Sequence, residues 1–152
     1  GGSLPEPTDA CVLRTDWALA KGESHPLLRW APKPKMKDWW LLHQQLAELG
    51  CLHLWEAFHQ GRPAACACSF IHKGHALITS VITDPDLRGL GLGASVMAAC
   101  LSHARELGGD EAGLLTHKRA QAFYARLGFK EEGVFSSLYF SKARAASETC
   151  YR

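Results

Sequence analysis

Eleven consecutive residues, Thr83-Asp84-Pro85-Asp86-Leu87-Arg88-Gly89-Leu90-Gly91-Leu92-Gly93, carry the densest chemical signal in the chain. The three glycines strip side chains from the backbone just ahead of an apolar, helix-patterned run. Consecutive N–H groups can then converge on an anion at a helix N-terminus, where the macrodipole also favours negative charge. Arg88 adds a cation beside them, so a pyrophosphate suits the loop. A dinucleotide fingerprint requires G-x-G-x-x-G and a Walker A loop ends in Gly-Lys-Ser/Thr; this loop reads G-x-G-x-G and fits neither. A glycine-rich turn without a ligand is the plain alternative, and the coincidence of several helix-entry features weighs against it.

Other residues offer acid–base chemistry. Tyr124 lies on a stripe with Ala120, Phe123 and Leu127, and its phenol is a hydrogen-bond donor with an ordinary pKa of about 10. The stripe also suits plain packing. Glu56 is a carboxylate on the first hairpin strand. Of the eight histidines, His53, His59, His72 and His75 fall on or near that hairpin. A four-residue gap on a strand separates side chains by about 13 Å, and the spacings match no ligand pattern, so no metal site is expected.

These residues are embedded in a readable run of elements. A short strand is expected around Cys11 to Arg14, and Trp39, Trp40, Leu42, Leu46 and Leu49 suggest a helix over 36–49 closed by Gly50. Leu52 to Phe58 and Ala64 to Ile71 flank a Gln60-Gly61-Arg62-Pro63 turn, and Ala76 to Thr83 follows Lys73-Gly74, which makes an antiparallel meander. Leu92, Val96, Cys100, Ala104 and Leu107 then set a helical period over 91–107. Gly113 to Thr116 reads as a strand, Ala120 to Leu127 as a shorter helix, and Phe129-Lys130 and Val134 to Phe140 as closing strands. The fold class is α/β in the α+β sense: a mixed, mostly antiparallel sheet with helices on both faces.

The bulk numbers bound the rest. The 152 residues fit one domain with a core of its own. With a formal charge of +2 and no long run of like charges, a nucleic-acid partner is not expected. No apolar run is long enough for a membrane span and the N-terminus lacks a leader pattern, which points to a cytoplasmic protein. The six cysteines show no C-x-x-C pair and read as reduced thiols. Gly1-Gly2-Ser3 has the look of a cloning remnant, leaving residues 4–152 as the domain.

Two segments together make the assignment more specific. Arg88-x-x-Gly91-x-Gly93, led in by Val81-Ile82-Thr83-Asp84-Pro85, resembles the R/Q-x-x-G-x-G/A loop of the GNAT (GCN5-related N-acetyltransferase) superfamily. Ala120-Gln121-Ala122-Phe123-Tyr124-Ala125-Arg126-Leu127-Gly128-Phe129 is similar to the A-x-x-F/L-Y-x-x-L-G-F helix that follows it there. The likeness covers residues 52–140 and leaves 4–50 as the acceptor-recognition part.

By this resemblance the cosubstrate is acetyl-CoA. Its pantetheine arm would pair with the backbone of Val81, Ile82 and Thr83. Its pyrophosphate would sit on the amides of Gly89, Leu90, Gly91, Leu92, Gly93 and Ala94 beside Arg88. His117 stands where many relatives place a pantetheine-binding asparagine. Tyr124 matches the tyrosine that protonates the departing thiolate. His75, thirteen residues before Arg88, matches the offset at which some relatives carry a glutamate base, although a surface histidine beside Lys73-Gly74 is the plainer reading.

The implied activity is transfer of acetyl to a primary amine by direct attack on the thioester. An acetyl-CoA-binding sensor without turnover is the alternative. Residues 1–60 hold seven acidic and six basic side chains. That balance favours a small molecule, an amino acid derivative or a peptide N-terminus over a polycation. Tryptophans 17, 30, 39, 40 and 55 are candidates for the acceptor cleft, Phe135 to Phe140 for the acyl pocket, and a monomer or homodimer is expected.

Overall fold

The structure, a computed structural model, describes residues 11–15 and 36–134. Among these residues the sheet has five strands in the order β1-β2-β3-β4-β5: β1 Cys11–Thr15, β2 Leu52–His59, β3 Arg62–His72, β4 His75–Thr83 and β5 Glu111–Leu114. The first four pair antiparallel and β5 joins β4 in parallel. The helices are α1 Met36–Glu48, α2 Leu92–Glu106 and α3 Gln121–Arg126.

Alternation along the strands builds two cores, one on each face. On one face Ala57, Ala65, Ala67 and Ile78 pack beneath Leu92, Val96, Met97 and Cys100 of α2, with Phe123 and Tyr124 of α3 and its C-cap Leu127 at the margin. On the other, Leu52, Leu54, Cys66 and Cys68 pack beneath Leu46 and Ala47 of α1. Helices therefore cover both faces, as expected. The run of alanines across β2 and β3 is what lets α2 approach the sheet closely.

Two expected strands differ from what is found. β5 begins at Glu111 rather than Gly113, because the amide of Asp110 donates to the Gly74 carbonyl (2.9 Å) and sets the register His75↔Glu111 at once. Phe129-Lys130 is not a strand. The Phe129 amide donates to the Tyr124 carbonyl (3.1 Å), so it closes α3 after Gly128, whose φ is 92°. The expected strand from Val134 lies beyond the described residues after its first position, as does the expected acyl-pocket segment 135–140.

One irregularity governs the sheet. Cys68 pairs with Thr79 but Cys66 with Ile82, so β4 carries an extra residue against β3, and Ser80 has φ 56°. Such a bulge bends its strand and increases the local twist. The β4–β5 ladder ends at Ile78↔Leu114, one residue before the bulge begins. Beyond that point β4 continues to Thr83 while the chain after Leu114 turns away, and the two parallel strands part.

A left-handed serine is strained, whereas glycine adopts that geometry without a Cβ penalty. Ser80→Gly is expected to stabilise the fold modestly, by less than the ~1–2 kcal/mol of left-handed strain it removes because glycine also frees the unfolded chain, and Ser80→Val to destabilise it. Urea denaturation of both variants checks the pair of signs.

Candidate active site

The parted ends of β4 and β5 meet the start of α2. From Thr83 the chain passes through a single 3₁₀ turn, Pro85–Leu87, held by the Asp84 carboxylate accepting from the Asp86 amide (3.1 Å). The Asp84 amide donates to the Ala64 carbonyl (2.8 Å), which ties the loop entrance to β3. Gly89 and Gly91 have φ of 85° and 76°, and Gly91 is the N-cap of α2 with no side-chain cap. Glycine is required at both, since the loop makes two left-handed steps to bring its amides round.

The next glycine serves a different purpose. A Cβ on Gly93 would lie 3.0 Å from Thr83 Oγ1 and 3.4 Å from the Phe123 ring. Its bare backbone lets the end of β4, the first turn of α2 and α3 converge at one point. Arg88, Gly89 and Leu90 are exposed and Leu92 is buried, so the loop presents its outer edge to solvent and anchors α2 by its inner one. The free amides of the first helical turn, the dipole of a fifteen-residue helix and the Arg88 guanidinium together suit an anion.

Tyr124 stands on the β5 side of the same opening. Its ring makes edge contacts with Phe123 (centroids 4.9 Å) and Phe129 (6.1 Å). Burial pushes its phenol above the ordinary value of 10.0, and a hydrogen bond with Thr116 opposes that rise. The phenol therefore keeps its proton throughout the neutral range and can donate it. His117 caps the 3₁₀ turn before α3 with an extended backbone and an exposed side chain, also at this end of the sheet.

The structure thus gathers Val81, Ile82, Thr83, the loop from Arg88 to Ala94, His117 and Tyr124 at one end of the β4–β5 pair. It does not bring His75 there. His75 opens β4, eight residues and about 26 Å of strand before Thr83. Its imidazole is 71% exposed, 3.3 Å from the Glu111 carboxylate. The offset match with a strand-borne glutamate placed it on the right strand but at the opposite end.

Two contributors were not evident in the sequence: Ser80, whose bulge opens the strands, and Thr116, which partners Tyr124. The polar pair Thr79-Ser80 inside an apolar run is the only cue to the first. No cluster of potential metal ligands occurs among the described residues.

Comparison with known proteins gives the family and the fold. The model of the acetyltransferase (GNAT) family matches residues 16–129, three quarters of the chain. The chain belongs to the GNAT acetyltransferase family. It is 32% identical over 109 residues to glucosamine 6-phosphate N-acetyltransferase 1 of Oryza sativa subsp. japonica, a match covering 64% of this chain and 65% of that protein. The chain thus spans just under two thirds of the length of this relative.

Two solved structures share the fold. The glucosamine-6-phosphate N-acetyltransferase of Arabidopsis thaliana superposes with a TM-score of 0.71 at 17% identity, covering 87% of this chain and 99% of that one. A predicted acetyltransferase of Clostridium acetobutylicum, crystallised with acetyl-CoA, gives 0.68 at 17%, covering 86% and 96%.

Because Thr116 holds the Tyr124 phenol down, Thr116→Val is expected to raise its pKa further. NMR titration of ring-labelled tyrosine measures the shift, and an unchanged or lowered value would contradict the contact.

Proposed function

We propose that this chain transfers the acetyl group of acetyl-CoA to a primary amine by direct attack on the thioester. The observation that carries the reading is the parting of β4 and β5 beside an uncapped, glycine-built helix N-terminus. An extended pantetheine arm can add to the free edge of β4 along Val81, Ile82 and Thr83. The pyrophosphate then falls on the amides of Gly89, Leu90, Gly91, Leu92, Gly93 and Ala94 near Arg88, and His117 borders the arm from the β5 side. Acetyl-CoA would supply the activated acyl group, and the chain's residues bind, orient and handle protons.

In this reading backbone amides near the bulge support the tetrahedral oxyanion, as preorganised donors do in acyl transfer. Tyr124 protonates the departing thiolate. Direct attack is favoured over an acyl-cysteine route because the buried thiols nearest the site are poor nucleophiles. Burial, followed by the charge of Glu56, pushes Cys66 up to about 12, and burial pushes Cys68 well up.

For the acceptor, the rice and Arabidopsis relatives point to amino sugar phosphates, and glucosamine 6-phosphate heads the amines to try. The near-neutral charge balance agrees with a small-molecule acceptor. A cytoplasmic setting fits the free thiols of Cys51, Cys66, Cys68 and Cys100. No helix of the described residues is long and apolar enough to cross a membrane.

Calorimetric titration is expected to show acetyl-CoA and CoA binding and no binding of NADH. Gly91→Glu, which places a carboxylate at a left-handed position among the amides, is expected to abolish coenzyme binding while circular dichroism stays unchanged. Tyr124→Phe is expected to lower kcat by roughly 10²–10⁴ with coenzyme affinity retained. Wild-type affinity in Gly91→Glu would remove the coenzyme assignment.

A further inference from the structure

With His75 at the wrong end of β4, the proton of the incoming ammonium needs another destination. The face of the sheet beneath α1 holds one. Leu52, Leu54 and Glu56 share that face by alternation, and the β2–β3 register shift begins only at Ala57, so the alternation holds through Glu56. Glu56 is 3% exposed, a carboxylate within an otherwise apolar layer. Its register partner is Cys66, whose own partner on β4 is Ile82. Glu56, Cys66 and Ile82 thus form a row across the sheet that ends on the open stretch of β4, with Glu56 about 10 Å from that stretch.

A second titratable group lies over this row. His43 of α1 is 8% exposed and precedes Leu46 and Ala47 by three and four residues, which places it on the helix face that packs on the sheet. The chain reverses at residues 49–51, so α1 runs back over β2. At about 1.5 Å per helical residue and 3.3 Å per strand residue, His43 lies about 12 Å from the reversal and Glu56 about 16 Å. The two are nearly level. Among the described residues the other titratable groups in this layer, Cys66 and Cys68, are held as neutral thiols by burial.

We propose that Glu56 accepts the proton of the acceptor ammonium through intervening water, and that His43 passes it on towards the surface of α1. This rests on the acetyltransferase reading above. The ammonium first gives its proton to the water-linked Glu56 carboxylate, and the nitrogen lone pair forms the N–C bond to the thioester carbon. As the tetrahedral intermediate collapses, the C–S bond breaks and the thiolate takes the Tyr124 proton. The amide product releases its remaining surplus proton to solvent, and Tyr124 is reprotonated from the proton that left through His43. Glu56 is a positioning residue in this scheme, since it acts through water. When ionised, the Glu56 carboxylate attracts an ammonium, and among the described residues the face under α2 buries no carboxylate.

Two nucleophiles separate this role from a structural one. Benzylamine is protonated at pH 7 and must lose a proton before it attacks, whereas methoxyamine is already neutral. Initial rates of acetyl transfer to each, corrected for the uncatalysed reaction, are compared for wild type, Glu56→Gln and His43→Gln. Glu56→Gln is expected to lower kcat/KM for benzylamine about 100-fold or more and for methoxyamine less than fivefold. His43→Gln is expected to lower the benzylamine rate about tenfold with the same selectivity, and it tests the path should Glu56→Gln fail to fold. An equal fall for both nucleophiles, or no fall for benzylamine, overturns the proposal while leaving the acetyltransferase reading in place. Absence of transfer by wild type to these amines and to glucosamine 6-phosphate alike, with acetyl-CoA bound, overturns both.

Discussion

The arrangement of this molecule depends on one extra residue in β4. Without the bulge at Ser80, β4 and β5 would continue side by side and every backbone group between Ile78 and Thr83 would be paired. With it, β4 twists out of the ladder after Ile78, and its last residues face a gap instead of a neighbour. The strain of a left-handed serine is held in place by long antiparallel pairing with β3 on the other side. The Cys66 thiol, 3.7 Å from the Ser80 carbonyl, sits against the bulge itself.

What the gap can receive follows from what surrounds it. The loop that leaves β4 enters α2 through two left-handed glycines and a third that admits Thr83 and Phe123, so the helix N-terminus is brought against the gap rather than merely near it. A ligand with an extended, amide-bearing arm and a doubly charged anion beyond it matches both features. The two faces of the sheet then divide the remaining work. The α2 face buries no charged group among the described residues and fixes Tyr124 through Phe123 and Phe129, whereas the α1 face keeps a buried carboxylate and imidazole.

The sequence made some of this legible and hid the rest for physical reasons. Periodicity revealed the meander and both main helices, because each element buries one continuous face and its pattern is therefore written in the chain. The glycine loop was equally plain, since few other needs place Gly89, Gly91 and Gly93 at a helix start. Residue-level placement was harder. His75 shares a strand with Ile82 and Thr83, but a strand extends so far per residue that sharing one says little about sharing a site. Phe129 reads as the start of a strand by its apolar character and is instead the hydrogen-bonded closure of α3. Ser80 carries almost no signal, because a bulge is set by pairing between strands and not by local composition. The tryptophans at 17 and 30 fall outside the described residues, those at 39 and 40 are described only in backbone, and Trp55 packs against the α2 core.

The central claim is that the free edge of β4 and the amides opening α2 form one continuous acetyl-CoA site. Amide hydrogen exchange with and without acetyl-CoA tests it directly, because the claim concerns backbone N–H groups. The account predicts new protection in two stretches, from Val81 to Thr83 and from Gly89 to Ala94, with the ladder around His75 unchanged. Protection confined to the helix start, or spread over the sheet without the open end of β4, would contradict it.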